Sequence, residues 1–473
     1  MRIEGYRFGE RLEGDAVKRL QGESGKTSPF VVLKLGSSIL RTLDDLSRVV
    51  TEIYRYQRNG TKVVAVVSGS NGEERATALL AAACDEAGLD ARVIEASNLG
   101  LKAADHAHRS DFISVDQAFP HGELSQNDVV IVPGYVEIAE ANYTVIGDDS
   151  SVPTASRPAP PLRVALAGCG IVGSGVADLL KGQLENFDLC GVLVRDTSKK
   201  RPASIGNAPL VSSLDELFEQ APDIIVDVLS SGELGLSLTE EALLRGVSIA
   251  SANKQALADD LDRLHAIASK NNTSLAYSAS VGGGTTMIET VRRVRKEGAV
   301  ITQMDAIVNG TVNFILSELA AGNSFDDAVR AAQEAGFAEA DPTADLSGAD
   351  AVAKAKILAW EAFGRPIEAP VVHQALDQPI LEKIRAAGGV WRQLTRISLD
   401  SGGMPHAVVD FQKIEDGDFF WDIPGEGNAI RVAIVDGPPV LVRGKGAGAV
   451  PTAHSILGDL GAIRGARRRL QTG

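Results

Sequence analysis

Cysteine is scarce in this sequence of 473 residues, which contains only Cys84, Cys169 and Cys190. No two of them form a CxxC pair, so the sequence predicts neither a structural zinc site nor a disulfide framework. A chain with so few thiols is typical of a reducing compartment, and we expect a cytoplasmic protein.

Long apolar segments are also missing. No uninterrupted apolar run reaches about 18 residues, the length that a membrane-spanning helix needs. The N-terminal segment is charged and lacks the apolar core of a signal peptide. The sequence therefore predicts no membrane partner.

Positive charge and histidine are both in short supply. Lys and Arg total 47 against 62 Asp and Glu, which gives a net charge of −15. Nucleic acids and anionic membranes are bound by positive patches, so we expect no nucleic-acid partner. His106 and His108 lie two residues apart, but no neighbouring carboxylates or thiols complete a metal site.

A segment rich in proline and serine, residues 148–161, divides the chain and favours an exposed linker. Before it, short apolar runs at 30–35, 63–67 and 129–132 flank a helical pattern at 43–58. Short apolar runs that alternate with amphipathic helices predict a mostly parallel α/β sheet.

A glycine-rich turn follows the linker. Gly168, Gly170 and Gly173 form a GxGxxG that comes directly after an apolar run and directly before a helical pattern. In this context the glycines permit a tight turn, a close approach to a pyrophosphate and close packing of helix on strand. The turn, with Ile171 and Val172, predicts a dinucleotide site; the alternative is a structural turn without a ligand.

The end of the next apolar run bears on the choice of cofactor. Arg195 precedes Asp196, and Lys199, Lys200 and Arg201 follow. A carboxylate at this position usually binds the ribose of NAD, whereas arginine suits the 2′-phosphate of NADP. The pattern favours NADP over NAD, unless the basic run is only a solvated loop.

Four later segments carry a family pattern, and they occur in one order along the chain. They are Ser251–Lys254, Val308–Leu316, Gly336–Lys354 and Gly444–Gly448. Together with the GxGxxG they closely resemble homoserine dehydrogenase over residues 162 to 465. The resemblance implies reversible interconversion of L-homoserine and L-aspartate 4-semialdehyde with NAD(P), in threonine and methionine synthesis, by a homodimer or higher homo-oligomer.

The resemblance also implies roles for individual residues. Lys354 and Lys254 approach the reacting oxygen, and Lys354 is favoured as the main acid and base. The implied substrate-binding residues are Glu339, Asp350, Asp345, Asn309 and Thr311. The implied cofactor-binding residues are Gly168, Gly170, Ile171, Val172, Gly173, Arg195, Ser230, Lys254 and Gly446.

Several of these residues have a simpler alternative. Asp350 and Lys354 are spaced i,i+4, which also fits a surface ion pair. Asp345 either orients this cluster or caps the helix that follows it. Asn309 and Thr311 flank a glycine, and Asn-Gly is by itself a turn signal.

The segment Tyr277–Thr286 matches the family only in part. In many members the carbonyls of this loop hold a monovalent cation beside a glutamate, whereas this chain has Ser278 at the position of the glutamate. Backbone carbonyls at Val281 and Gly283 do not depend on that change. The resemblance therefore leaves Na⁺ as a candidate ligand of this loop, with weakened support.

The N-terminal unit resembles another family. Val31–Ser38 is similar to the opening of an amino-acid kinase domain, as in aspartate kinase, but the unit stops where the ATP-binding half should begin. We expect it to lack phosphotransferase activity and to be a dimerisation surface or an effector-binding remnant. The alternatives for the whole chain are an aspartate kinase activity in this unit or a catalytically silent nucleotide-sensing regulator.

The predicted architecture is α/β, with a Rossmann doubly wound domain at its centre. The predicted segments are a truncated kinase-like domain at 1–150, a linker at 151–161, the NAD(P)-binding domain at 162–300, an α+β catalytic and dimerisation domain at 301–440, and a segment returning to the cofactor domain at 441–473.

Overall fold

The computed structural model describes most of the chain after residue 160 and parts of it before. The described residues are 30–36, 40, 42–68, 73–94, 102–103, 113–114, 127–133, 136–137, 144–146, 160–446 and 448–472. Two compact units are present, one of residues 1–161 with 181–187 and the other of residues 162–180 with 188–473. Within the described ranges, no helix is long and apolar enough to cross a membrane.

The first unit contains a five-stranded parallel sheet in the order β3-β6-β2-β1-β8 and a small sheet in the order β4-β5-β7. Its strands are β1 (Phe30–Gly36), β2 (Lys62–Ser68), β3 (Ala91–Val93), β4 (Lys102–Ala103), β5 (Ile113–Ser114), β6 (Val129–Pro133), β7 (Val136–Glu137) and β8 (Thr144–Ile146). Its helices are α1 (Leu43–Arg58) and α2 (Glu73–Glu86). Helix α1 has the predicted bounds because a capping box formed by Thr42 and Asp45 fixes its first turn.

The second unit begins with a six-stranded sheet in the order β11-β10-β9-β12-β13-β14. Its strands are β9 (Leu162–Ala167), β10 (Phe187–Leu193), β11 (Leu210–Val211), β12 (Ile224–Asp227), β13 (Ser248–Ser251) and β14 (Leu275–Ala276). Its helices are α3 (Ile171–Lys181), α4 (Leu214–Glu219), α5 (Gly232–Leu244), α6 (Lys254–Leu257) and α7 (Leu261–Lys270). Strand order reverses between β9 and β12, whose carboxyl ends lie side by side in a parallel pair. In a doubly wound sheet, ligands bind in the crevice outside such a reversal.

A second six-stranded sheet follows in the order β16-β18-β17-β15-β19-β20, antiparallel except between β16 and β18. Its strands are β15 (Ile301–Ile307), β16 (Val372–His373), β17 (Trp391–Leu399), β18 (Pro405–Lys413), β19 (Gly427–Ile434) and β20 (Val440–Lys445). The helices are α8 (Met287–Lys296), α9 (Gly310–Ala320), α10 (Phe325–Glu334), α11 (Thr343–Leu346), α12 (Ala349–Phe363) and α13 (Gln378–Ala387). Helix α12 packs its buried face on this sheet, and one apolar core continues from there into the parallel sheet.

The last helix, α14 (Ala449–Thr472), follows the antiparallel sheet in the chain and packs on the parallel six-stranded sheet of the same unit. The buried Asp459 carboxylate accepts a hydrogen bond from the Ser278 N–H, and Arg467 forms an ion pair with Asp223 at 2.9 Å. Most of this helix therefore adds to the parallel-sheet half of the unit, although about 170 residues separate it from β14.

Candidate active site

The glycine-rich turn between β9 and α3, residues 168–173, is here called the phosphate loop. Gly168 has a φ of +104°, and a Cβ there would lie 2.9 Å from the Val228 carbonyl oxygen. A Cβ at Gly173 would lie 2.3 Å from the Gly168 oxygen, whereas a Cβ at Gly170 would point into open space. Two glycines are thus required by packing, and the third leaves room where a pyrophosphate approaches the first N–H groups of α3.

Two further residues predicted to bind the cofactor, Ile171 and Gly446, are far apart in the sequence. Ile171 opens α3 and is 80% exposed. Gly446 follows β20, and a Cβ there would lie 1.9 Å from the Asn428 Cγ, so only glycine fits. The Gly284 N–H donates to the Lys445 carbonyl at 3.2 Å, which ties this turn to the loop before α8.

Basic side chains lie beyond β10. Arg195 is exposed, but Arg201 lies against the phosphate loop: its Nη1 donates to the Cys169 carbonyl at 3.4 Å, and its Nη2 donates to the Asp196 carbonyl at 3.0 Å. The Nε of Arg201 is buried and has no hydrogen-bond partner among the described residues. Hydrogen bonds from Ser198 lower the pKa of the exposed Asp196 carboxyl and hold it within its own turn. The sequence pattern indicated a basic cluster here but did not single out Arg201.

Lys254, Asp350 and Lys354, here called the Lys–Asp–Lys cluster, form the centre of the site. Lys254 Nζ lies 2.9 Å from Asp350 Oδ1, and Lys354 Nζ lies 2.8 Å from Asp350 Oδ2. The side chains of Asp350 and Lys354 are only 6% and 13% exposed, so the alternative of a surface ion pair is wrong. Burial raises the pKa of Asp350, but Lys354 and then Lys254 outweigh it and hold that pKa at about 2. Asp350 in turn raises the pKa of Lys254, which keeps that side chain an ammonium.

Asn309 links this cluster to a second carboxylate. Its Nδ2 donates to Asp345 Oδ1 at 2.8 Å and to Asp350 Oδ2 at 2.9 Å, while its Oδ1 accepts from the Val312 N–H and caps α9. Burial and then the neighbouring Asp350 raise the pKa of Asp345. The cap of α12 is instead Gly348, so Asp345 contributes to the cluster and not to that cap.

Three further predicted residues lie outside this hydrogen-bonded group. Glu339 is exposed, yet its charge helps to raise the pKa of Lys254. Thr311 donates to the Phe337 carbonyl at 2.6 Å, so its hydroxyl binds the backbone and not the Lys–Asp–Lys cluster. Ser230 is exposed three residues after β12.

The loop predicted to hold a cation lies between β14 and α8. Val281 is fully buried, and Gly282 and Gly283 have φ values of +80° and +52°. The Gly282 carbonyl accepts from the Thr285 N–H, while the hydroxyl of Thr285 is buried without a hydrogen-bond partner in the described part of the chain. No group of three or more His, Cys, Asp or Glu side chains in that part is placed to bind a metal ion, and His106 and His108 lie outside it.

Some groups of the site have no signal in the sequence. The Val308 carbonyl accepts a hydrogen bond from Lys354 Nζ at 2.7 Å, and a backbone acceptor cannot be read from residue types. Asp227, at the end of β12, is fully buried and hydrogen-bonded to the segment before Lys254, although it belongs to none of the motifs. Its position at the end of a central strand was the only available indication.

In chemical terms the site combines a dinucleotide-binding loop with two ammonium groups that share one carboxylate. An ammonium can donate a proton to an oxygen that receives a hydride, and the corresponding amine can accept that proton in reverse. The arrangement therefore suits the interconversion of an alcohol and a carbonyl compound.

Comparison with known proteins agrees with this chemistry. The homoserine dehydrogenase family model matches residues 287–460, and the model of the homoserine dehydrogenase NAD binding domain matches residues 168–278. Homoserine dehydrogenase from Sulfurisphaera tokodaii is 31% identical over 316 residues, which cover 63% of this chain and 97% of that protein. The enzyme from Bacillus subtilis is 30% identical over 317 residues, which cover 64% of this chain and 72% of that protein.

Solved structures give the same result. A homoserine dehydrogenase from Thiobacillus denitrificans superposes with a TM-score of 0.61 at 29% identity, covering 65% of this chain and 74% of that one. A hyperthermophilic archaeal homoserine dehydrogenase in complex with NADPH superposes with a TM-score of 0.56 at 26% identity, covering 64% of this chain and 97% of that one. With its parallel NAD-binding sheet and its second sheet domain, this chain belongs to the homoserine dehydrogenase family.

Proposed function

We propose that this protein oxidises L-homoserine reversibly to L-aspartate 4-semialdehyde with NAD(P), a reaction of threonine and methionine biosynthesis. The Lys–Asp–Lys cluster carries the proposal, because it brings two cationic groups to one buried carboxylate in a chain that also has the phosphate loop. A catalytically silent nucleotide sensor would need the loop alone.

The proposed reaction moves one hydride ion and one proton. The phosphate loop would hold the dinucleotide, whose nicotinamide ring would supply the acceptor for the hydride that leaves the alcohol carbon of homoserine. The proton of the alcohol oxygen passes to a lysine amine, and in the reverse direction the ammonium returns it. Asp350 holds the two lysines at that oxygen, and Glu339 binds the amino group of the substrate, with Asp345 and Asn309 beside it.

Lys354 is the residue that we assign as the main acid and base. An ammonium has three N–H donors. Asp350 and the Val308 carbonyl take two of them, at 2.8 and 2.7 Å, so the direction of the third is fixed. Lys254, with 34% of its side chain exposed, is assigned to stabilise the charge that develops on the same oxygen.

The assay for this function is direct. Purified protein should reduce NADP⁺ or NAD⁺ only when L-homoserine is added, and it should oxidise NADPH with aspartate semialdehyde. Asp350→Asn should lower this turnover, because it keeps the shape of the side chain but removes the charge that both lysines share. Absence of homoserine-dependent turnover with either cofactor would overturn the proposal.

NADP is the proposed cofactor, with NAD as the alternative. The support is the pair Arg195 and Arg201 beyond β10, since a guanidinium binds a 2′-phosphate through charge-assisted hydrogen bonds. The Nε of Arg201 has no hydrogen-bond partner in the described ranges. The ratio of kcat/KM for NADP⁺ and NAD⁺ tests this choice.

A bound Na⁺ at the loop 281–285 is a further proposal. Hard oxygen ligands suit a monovalent cation, and this loop offers the carbonyls of Val281 and Gly283. It also offers the Thr285 hydroxyl, which has no hydrogen-bond partner among the residues that the structure describes. Replacement of Na⁺ by choline at constant ionic strength should lower thermal stability if the site is filled. Identical melting temperatures in the two salts would remove the ion from the proposal.

For the rest of the chain we propose the segments named above: a truncated amino-acid kinase-like domain at 1–150, a linker at 151–161, a Rossmann domain at 162–300, a catalytic and dimerisation domain at 301–440 and a returning segment at 441–473. Parallel strands β1, β2 and β6 support the kinase-like assignment, while Ser37 and Ser38 lie outside the described residues. We expect that this unit does not catalyse ATP- and aspartate-dependent phosphorylation, which a phosphorylation assay tests. We also expect the protein to form a homodimer or higher oligomer, which a mass from light scattering tests.

A further inference from the structure

A buried carboxylate lies behind Lys254 and is not among the groups that take part in the proposed reaction. Asp227 is the last residue of β12 and is 0% exposed. Its Oδ1 accepts a hydrogen bond from the Leu229 N–H at 3.0 Å, and its Oδ2 accepts one from the Ser251 hydroxyl at 3.1 Å. No Lys or Arg of the described residues forms an ion pair with it. A buried charge without an ionic partner is costly, so a purely structural position would be filled more easily by a neutral side chain.

The hydrogen bonds of Asp227 lead to Lys254. Ser251 pairs with Asp227 in the β12–β13 ladder, and its Oγ accepts from the Asn253 N–H at 3.0 Å. The Asp227 carbonyl accepts from the Ala252 N–H at 2.9 Å. Asn253 is the N-cap of α6, in which Lys254 is the first residue. Asp227, Ser251 and Asn253, here called the Asp227 relay, thus fix each residue of the turn that presents Lys254.

Helix α5 encloses this relay from the other side. Asn253 Nδ2 donates to the Ser231 carbonyl at 2.9 Å, immediately before α5 begins. A Cβ at Gly235 would lie 2.2 Å from Asn253 Nδ2 and 2.9 Å from Asp227 Oδ2. Helix α5 therefore leaves no space for the turn to move, and the orientation of Asn253 is held from two directions.

We propose that Asp227 is a positioning residue for the dehydrogenase reaction, acting through Ser251 and Asn253 to fix Lys254 at the reacting oxygen. This inference rests on the proposed function of Lys254. Asp227 itself is too deeply buried to contact substrate or cofactor. The Lys254 side chain extends from the parallel-sheet half to Asp350 on α12, so a small rotation of its turn displaces Nζ by a larger distance at the other end. A misplacement of about 1 Å in a catalytic group can cost ~100-fold in rate.

A double-mutant cycle tests the proposal. Lys254→Ala, Asp227→Asn and the combination are compared for kcat, for the KM of homoserine and for the Kd of NADPH measured by fluorescence. Asp227→Asn should lower kcat ~10- to 100-fold and leave the Kd of NADPH within about 3-fold. In the Lys254→Ala background the same substitution should change kcat by less than about 2-fold, because residues that act as a unit are not additive.

Two further variants guard against a folding defect. Ser251→Ala removes the middle of the relay and keeps the Asp227 carboxylate, and it should reproduce the loss of kcat. Ser248→Ala is its matched control: Ser248 is buried in the same strand and accepts a hydrogen bond from the Ser274 N–H, but it faces away from the turn. Its kcat should equal that of the wild type.

The outcomes separate this inference from the proposed function. Additive losses in the double variant would show that Asp227 does not act through Lys254, and equal losses in Ser251→Ala and Ser248→Ala would show that the defect is one of stability; either overturns the inference while homoserine turnover by the wild type stands. Unchanged turnover in Lys254→Ala overturns it as well. No homoserine turnover in the wild type overturns the function itself.

Discussion

Lys254 Nζ and Asp350 Oδ1 lie 2.9 Å apart although the helices that carry them adjoin different sheets of the second unit. Lys254 begins α6, directly after a strand of the parallel sheet, and Asp350 lies in the first turn of α12, which packs on the antiparallel sheet. The shared carboxylate is therefore complete only when these two halves are docked. Substitutions at their contact should alter turnover before they alter cofactor binding.

Lys354 should be the more important lysine for the proton transfer. Lys354→Ala is expected to lower kcat by at least ~100-fold, the contribution of a positioned acid or base, with the Kd of NADPH nearly unchanged. Lys356→Ala is the control, because Lys356 lies on the same helix but pairs with Asp259. Stopped-flow single turnovers give the chemical step directly. Wild-type turnover in Lys354→Ala would assign the role to Lys254.

Arg201 should contribute to the choice between the two cofactors. A charge-assisted hydrogen bond to a phosphate is worth roughly 1.5–3 kcal/mol, so Arg201→Ala should lower kcat/KM for NADP⁺ by ~10- to 100-fold. The value for NAD⁺ is the internal control and should change little. Equal losses with both cofactors would mean that Arg201 only supports the phosphate loop through the Cys169 carbonyl.

An ion pair between α8 and α12 should stabilise the fold. Arg292 Nε and Nη2 lie 3.0 and 2.5 Å from the two carboxylate oxygens of Glu361, whose side chain is 7% exposed. Arg292→Met leaves that carboxylate buried without its partner, which costs about 3 kcal/mol. The double variant with Glu361→Leu should recover most of the loss in melting temperature.

Arg330 provides the comparison for this pair. Its partner is Asp327, and both side chains are more than half exposed. Arg330→Met should therefore shift the free energy of unfolding by less than about 1 kcal/mol. If Arg292→Met and Arg330→Met have the same melting temperature, the Arg292–Glu361 pair contributes no more to stability than the exposed pair does.

Asp227 should make stability depend on pH. Burial raises its pKa from 3.8 to about 6, so the folded protein retains a proton that the unfolded chain has lost between these values. The protonated side chain makes its full contribution to the free energy of unfolding below pH 3.8, and this contribution is lost as the pH rises through 6. The contribution that is lost amounts to about 3 kcal/mol. The melting temperature of Asp227→Asn relative to the wild type should therefore rise between pH 4.5 and 7.5; a constant difference would contradict the shift.

Local chemistry explains which elements could be predicted from the sequence. The amphipathic pattern of residues 349–363 predicts a helix, and α12 has these bounds because Gly348 and Gly364 adopt positive φ values at its two ends. The apolar run at 224–229 predicts a strand of that length, but β12 ends earlier, at Asp227, because the Leu229 N–H turns back to the Asp227 carboxylate. A side chain that ends a strand by accepting a backbone N–H is invisible to a count of apolar residues.

The site could be predicted in residue types but not in roles. The i,i+4 spacing of Asp350 and Lys354 predicts a shared helix face, yet only the packing of α12 on the sheet decides that this face is buried. Thr311 belongs to the same motif as Asn309, but its hydroxyl binds the Phe337 carbonyl. Whether Asn309 or Thr311 reaches the cluster depends on the direction of each side chain in the folded protein. Residue spacing alone does not predict that direction.

Helix α14 has a consequence for how the second unit can be divided. Because this helix packs beside β13 and β14 and its Asp459 binds the Ser278 N–H, the parallel-sheet half is made from two distant stretches of chain, and the antiparallel sheet is inserted between them. A fragment that stops after α8 would expose the surface that α14 covers. Separate expression of the cofactor-binding half therefore calls for a short artificial loop that joins α8 directly to α14, in place of a simple C-terminal truncation.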